Sequence, residues 1–303
     1  MRVAIATVSV VFAAFLGFIA ASCGAGEGAE AVGPVPSATA PPGAEETVET
    51  AETVETSEGE PEEVETLPSR TFELWFTKGE NLYLSHRARR TDQRVGTAAL
   101  RLLIEDGPED ADLGTAIPAD TKVLGLVIED GIAHADLSSE FESGGGSLSM
   151  QMRLAQVVYT LTQFPTVKGV LFELDGRPVD VIGGEGIVVD HPLTRKDFAD
   201  FLYPIVVTTP VAGQTVDNPV QVSGTANVFE ANVTLVVLDE GGKEVGRTFT
   251  TATCGTGCRG TFSVAVAYKV SRRQSGTILV QDDDAAGTGR PPHEVRIPVV
   301  LSP

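Results

Sequence analysis

The sequence predicts two folded units of different class: an α+β domain over residues 69–202, built as a sheet with helices on one face, and an all-β sandwich over residues 203–303. Three observations carry this reading. From Phe72 to Asp197, strand-like alternation is interrupted by helical periods in the order ββαββαββα, which fits a sheet covered on one face. From Ile205 onward the helical period vanishes and short alternating segments recur between turn signals. The chain is also 303 residues long, more than one typical domain needs.

In the first unit, FELWFTK (Phe72–Lys78) and NLYLSHR (Asn81–Arg87) alternate on either side of Gly79-Glu80 and predict a hairpin. A helix follows over Thr97–Asp106, with Leu100, Leu103 and Ile104 on one side and Gly107-Pro108 as its stop. KVLGLVIEDGIAHADL holds two strands joined at Asp130-Gly131, a dipeptide that favours a type I′ turn. The first of them, Val123–Ile128, is apolar on both faces and reads as a central strand.

After ESGGGS, Ser147 is placed to cap a helix whose Leu148, Met152, Ala155, Tyr159 and Thr162 recur at steps of four and three. Leu154, Val158 and Leu161 widen that stripe, which predicts a largely buried helix ending at Pro165. Its polar residues Arg153, Gln156 and Gln163, with Glu173 beyond, form no constellation that points to chemistry. Val170, Phe172 and Leu174 alternate into a second Asp-Gly turn at Asp175-Gly176 and return as RPVDVI. TRKD, Thr194–Asp197, has the form of a capping box and opens a short last helix.

The second unit contains IVVTTP, NPVQVSG, NVTLVVLDEGGKEVGRTFT, GTFSVAVAY, GTILVQ and HEVRIPVVL. Around seven strands in a hundred residues predict an immunoglobulin-like sandwich.

Ahead of both units, MRVAIATVSVVFAAFLGFIAASC has one Arg, an uncharged apolar run from Val3 to Ala21 and small residues before a Cys, the pattern of an export signal. The segment IAASC resembles a bacterial lipoprotein box, with Ala20 where Leu is usual. It implies a signal peptide over residues 1–22 and Cys23 as the lipidated first residue of the mature chain. The alternative is an uncleaved anchor, for which the apolar run is long enough. Both place residues 24–303 outside the cytoplasm. The lipoprotein reading puts them on the outer face of the cell membrane.

The segment 23–68 holds twelve Glu and no Lys or Arg, more than half of the formal charge of −20. Its near-repeats ETVETA, ETVETS and EEVET contain no aromatic residue and little to bury, which predicts a disordered, self-repelling tether; a helix with Val48 and Val54 on one side is the alternative. Such a tether reaches roughly 150 Å extended and on the order of 40 Å as a coil. The charge balance excludes a nucleic-acid partner and docking on anionic lipid through a polybasic patch.

Of three cysteines, Cys23 is assigned to lipid, leaving Cys254 and Cys258 in TATCGTGCRGTF. In an oxidising compartment a pair this close is expected to form a disulfide, contributing about 2 kcal/mol through so short a loop. Half of a metal site and a redox-active pair are the alternatives. No second Cys/His pair completes four ligands, and the spacing is not C-x-x-C.

Several stretches of the first unit, AIPADTKVLGLVIEDGIAHADLS, RLAQVVYTLTQF, VKGVLFELDG and PLTR, resemble in order the GerMN domain of bacterial sporulation and germination proteins. In the second, TPVAGQTVDNPVQVSGTANVFEANV and EVRIPVVL resemble the immunoglobulin-like domain that accompanies GerMN in exported bacterial proteins. The resemblance brings no catalytic residues and implies protein–protein assembly.

The residues themselves agree. His86, His134, His191 and His293 stand in no paired-ligand spacing, and there is no G-x-S-x-G elbow or Walker loop. GGEG at Gly183 lacks the strand–helix context of a dinucleotide fingerprint and reads as a hairpin or loop. Asp282 and Asp284, in the run Asp282-Asp283-Asp284 followed by Gly287, have oxygens suited to calcium; a solvated acidic turn is the competing reading. Glu142 with Gly144–Gly146 forms either a mobile lip or a plain loop. No cofactor is expected.

The expected function is a non-enzymatic, membrane-anchored envelope lipoprotein. It would bind another envelope or spore-assembly protein, or itself, through exposed sheet edges or loops. A peptidoglycan- or glycan-binding wall module is the alternative.

Overall fold

The computed structural model describes residues 67–303 apart from 93, 284–286 and 288. The export signal, Cys23, the acidic segment through Thr66 and Asp284 lie outside the described residues. Among the described residues no helix is long and apolar enough to cross a membrane.

Strands β1 (Ser69–Lys78) and β2 (Asn81–Arg90) pair antiparallel around Gly79. Helix α1 (Val95–Arg101) continues into a π-helical turn, Leu102–Asp106, that ends at Gly107 with φ of +68°. β3 (Val123–Glu129) and β4 (Ile132–Leu137) form a hairpin whose Asp130 and Gly131 both have positive φ, as a type I′ turn requires. Helix α2 (Ser147–Leu161) then crosses over to β5 (Gly169–Leu174), which pairs parallel with β4; a parallel neighbour needs such a crossover. The second Asp-Gly turn also has positive φ at both residues and leads into the two-residue β6 (Arg177–Pro178). β7 (Val181–Ile182) pairs with β8 (Ile187–Val188), so GGEG closes a hairpin. The capping box at Thr194 and Asp197 opens a 3₁₀ helix, Arg195–Phe201.

The α+β class holds, with four corrections to detail. The strands do not form one sheet: β1–β2 is a separate pair beside a four-stranded sheet of order β3-β4-β5-β6. β3 is an edge strand, not a central one; Leu124, Val127 and Ile128 are 41–52% exposed. RPVDVI does not return as one strand, because after Pro178 the chain leaves β5 and Val181–Ile182 pairs with β8. Gly146, not Ser147, is the N-cap of α2; the Ser147 hydroxyl donates to Glu185 instead, and Leu148 is exposed rather than on the buried stripe.

α2 is the spine of this unit, with Met152, Leu154, Ala155, Val158, Tyr159 and Leu161 buried. Its polar residues hold β1. Gln163 Nε2 donates to Glu73 O at 2.8 Å, and its Oε1 accepts from Glu73 N at 2.9 Å. Thr160 Oγ1 accepts from Trp75 N, and Gln156 Nε2 donates to Trp75 O at 2.9 Å. Side chains one helical turn apart thus occupy the backbone groups that a third strand would otherwise take, which is why the β1–β2 pair needs no further strand on that side. Arg153, buried, donates to the carbonyls of Ala116, Phe141 and Gly144 and ties down the glycine loop. These residues are structural staples that the sequence reading left without a role.

The second unit is a sandwich of eight strands: β9 (Ile205–Thr209), β10 (Thr215–Val216), β11 (Val220–Ala226), β12 (Asn232–Leu238), β13 (Glu244–Thr251), β14 (Gly260–Val266), β15 (Gln274–Gln281) and β16 (Glu294–Leu301). One sheet has the order β10-β16-β15-β12-β13 and the other β14-β11-β9. Alternate residues Val222, Val233, Leu235, Val237, Ile278 and Val280 fill the space between them.

Candidate functional site

The four-stranded sheet packs one face on the core and leaves the other open. On the core side, Ala133, Ala135 and Leu137 of β4 are fully buried, and Leu126 and Ile128 of β3 reach Gly96 of α1. On the open side, the register brings Val127 opposite His134 and His134 beside Leu171, with Gly125, Asp136 and Glu173 on the next rung. His134 Nδ1 lies 3.5 Å from Glu173 Oε1, and Asp136 accepts from Gly176 N at 2.9 Å. Gly125, Leu126, Val127, Glu129, Asp136 and Glu173 line a shallow depression of about 290 Å³ along this edge. It combines an apolar strip, three carboxylates and the outer edge of β3, which pairs with no other strand among the described residues. An extended segment of another chain could add there by backbone pairing.

A second constellation lies where the two units meet. Lys78 sits over the rings of Tyr83 and Tyr203, at 5.0 and 5.3 Å from their centroids, and Tyr203 packs edge-on against Tyr83 and His293. Tyr203 N donates to Leu82 O at 2.8 Å. The Tyr83 hydroxyl is pushed up to about 12, chiefly by burial and then by Tyr203 and Asp110; burial also raises Tyr203. Behind them Asp282 is buried, taking Arg290 at 2.6 Å and His293 Nδ1 at 2.9 Å. Burial works to raise the Asp282 carboxyl, but hydrogen bonds from Arg290 and His293 outweigh it and hold the group below the usual range.

The carboxylate oxygens of Asp282 are therefore engaged by these two partners, whereas Asp284 lies outside the described residues. Cys254 and Cys258 are joined in a disulfide. His86, whose basicity burial lowers, and His191, beside Asp190, lie apart from His134 and His293. Among the described residues no group of three or more His, Cys, Asp or Glu is arranged to hold a metal ion. Glu142 accepts weakly from Gly183 N, and Phe229-Glu230 forms an exposed turn with Glu230 at φ +53°. Arg195 of PLTR stacks on Tyr159 and Trp75, at 5.0 and 5.7 Å, and donates to Tyr159 O and Thr162 Oγ1. The β3 edge was legible only in part: the run VLGLVIE showed apolar residues on both faces, and strand order puts it at the sheet edge, with Leu124, Val127 and Ile128 exposed.

An α+β domain with one open sheet face, joined to an immunoglobulin-like sandwich, defines a two-unit module without a recognisable catalytic centre among its described residues. Residues 45–180 match the family model for sporulation and spore germination, and residues 204–288 match that for the immunoglobulin-like domain of bacterial spore germination. The chain is a GerMN-like protein of the sporulation and germination type, and neither family is a known enzyme family. The first match begins inside the Glu-rich segment and ends before residue 202.

Among solved structures, the chain is similar to the tandem GerMN domains of the sporulation protein GerM from Bacillus subtilis, at 16% identity and a TM-score of 0.41 over 78% of this chain and 61% of that one. It therefore spans less than two thirds of that structure's length. It is also similar to the first GerMN domain of the same protein (27%, TM-score 0.36, 42% of this chain and 99% of that one). A putative lipoprotein from Clostridium perfringens is a further match (24%, TM-score 0.33, 44% of this chain and 93% of that one). No curated protein matches the chain.

Proposed function

We propose that this protein is a non-enzymatic envelope lipoprotein, anchored through Cys23, whose two units bind another envelope or spore-assembly protein. The observation that carries the binding role is the edge strand β3, where Leu124, Val127 and Ile128 stand exposed beside an open sheet face. Exposed apolar edges are costly to solubility and are ordinarily blocked by charge, proline or a covering element. Retaining one along an unpaired strand fits a surface that is covered by a partner. The Glu-rich segment between Cys23 and Leu67 supplies reach from the membrane.

Substituting Leu124→Lys and Val127→Lys places charge on the edge at its two most exposed apolar positions. Cross-linking in cells should then lose a discrete adduct that the parent chain forms, while the melting temperature stays unchanged. An unchanged adduct would sink the reading. Anchoring is tested separately: Cys23→Ala should abolish incorporation of labelled fatty acid and release the chain from the membrane fraction.

A further inference from the structure

We propose that the Cys254–Cys258 disulfide is a thiol-exchange site that controls the stiffness of the joint between the two units. The connector is Leu202-Tyr203-Pro204, and one side chain gathers all three of its carbonyls. Arg259 donates to Leu202 O at 3.2 Å, to Tyr203 O at 2.9 Å and to Pro204 O at 3.5 Å, and holds Thr225 Oγ1 at 3.2 Å. Arg259 directly follows Cys258, so the position of its backbone is set by the disulfide loop.

That loop is itself held without slack. Thr256 N donates to Val228 O, Glu230 N to Thr256 Oγ1 and Gly257 N to Asn227 Oδ1, each at 3.0 Å. A Cβ on Gly255 would lie 2.5 Å from Ala231 N, and one on Gly260 would lie 2.2 Å from Cys254 N. Glu230, Ala231 and Thr256 all occupy the left-handed region, at φ of +53°, +57° and +51°. L-residues stay there only where their surroundings over-determine them. A cross-link between residues four apart restricts the unfolded chain little, so its main effect is local: it keeps the loop, and with it Arg259, in place.

The sulfurs can be reached. Both cysteines are half-buried, and Cys258 lines a cleft of about 370 Å³ at the joint, with Asn81, Asp200, Pro204, Asn227 and Arg259. A thiolate of an external dithiol attacks the Cys258 sulfur, and the bonding pair leaves on Cys254, which takes a proton from water. The second thiolate of the dithiol then displaces Cys258, which is protonated in turn, and the donor closes its own disulfide. Two electrons and two protons pass from the dithiol to the pair. Opening the loop frees Arg259 from the connector. Tyr203 N on Leu82 O and Lys78 over Tyr83 remain, so the joint loosens without coming apart.

The test is amide hydrogen exchange on the full chain, with dithiothreitol as the probe. Reduction should speed exchange of the Asn227 amide, which donates to Pro204 O of the connector, about tenfold, leaving Val158 and Leu161 of α2 unchanged. Oxidised Arg259→Ala should show the same acceleration, with nothing added by reduction. Cys254→Ser/Cys258→Ser should behave as the reduced parent. The proposal is overturned if the pair resists dithiothreitol in the folded chain. It is equally overturned if exchange rises evenly through the whole sandwich, or if Arg259→Ala leaves the connector protected.

Discussion

Gln163 encloses the backbone of Glu73, donating to its carbonyl oxygen at 2.8 Å and accepting from its amide at 2.9 Å. A single carboxamide thereby satisfies both peptide groups that an adjoining strand would have taken. Gln163→Ala should cost about 1–3 kcal/mol by leaving the two groups unmatched, read from urea unfolding. Gln163→Glu keeps an acceptor but faces a carbonyl with a carboxylate. It should be less stable than the parent at pH 7 and recover on acidification as the carboxyl protonates.

Arg153 serves three carbonyls from two segments, Ala116 on one and Phe141 with Gly144 on the other. Arg153→Met fills the volume but leaves Ala116, Phe141 and Gly144 without their donor. A loss of about 2–4 kcal/mol is expected, with the Gly144–Gly146 loop becoming the first site of proteolysis. Equal stability of Arg153→Met and parent in denaturant titration would contradict the staple role.

These two side chains also mark the boundary of what the sequence made legible. Asp130-Gly131, Asp175-Gly176 and the Thr194–Asp197 box were readable because a turn or cap is decided by residues within three or four positions. The partners of Gln163 and Gln156 lie 90 and 81 residues away and are backbone groups, which leave no mark on local pattern. The same holds for β3: its double-sided apolarity reads as a central strand, but neighbours are set by long-range pairing, and β4 and β5 took the centre. Arg290 and His293 lie 8 and 11 residues beyond Asp282, across a loop, so that residue read as a possible cation ligand rather than an ion-pair anchor.

Tyr83 makes the joint alkali-sensitive. Its folded value of about 12 stands above the ordinary tyrosine value near 10, so the fold favours the neutral phenol. Stability is fully present below pH ~10 and is lost as pH rises through the folded value. Burial raises Tyr159, Tyr203 and Tyr268 as well, so phenolate absorbance should show every tyrosine titrating late, with the last step lost in Tyr83→Phe.

Asp282 acts in the opposite direction. Its folded value is depressed, so its contribution is present above the ordinary aspartate value near 3.9 and is lost as pH falls through the folded value. Asp282→Asn should lower stability at pH 7 and flatten its fall below pH ~4. A parallel acid limb in both proteins would show that the carboxylate is not the anchor.

The claim that β3 is a binding edge is tested most directly by photo-cross-linking in living cells. A photoreactive residue is placed in turn at Leu124, Val127 and Ile128, and at exposed Glu240 and Lys243 in the turn after β12 as controls. The account predicts a discrete protein adduct of one mass from the three β3 positions, lost on Val127→Lys when the probe is at Ile128, and none from the turn. Adducts of equal yield from both surfaces, or none from β3, would contradict it.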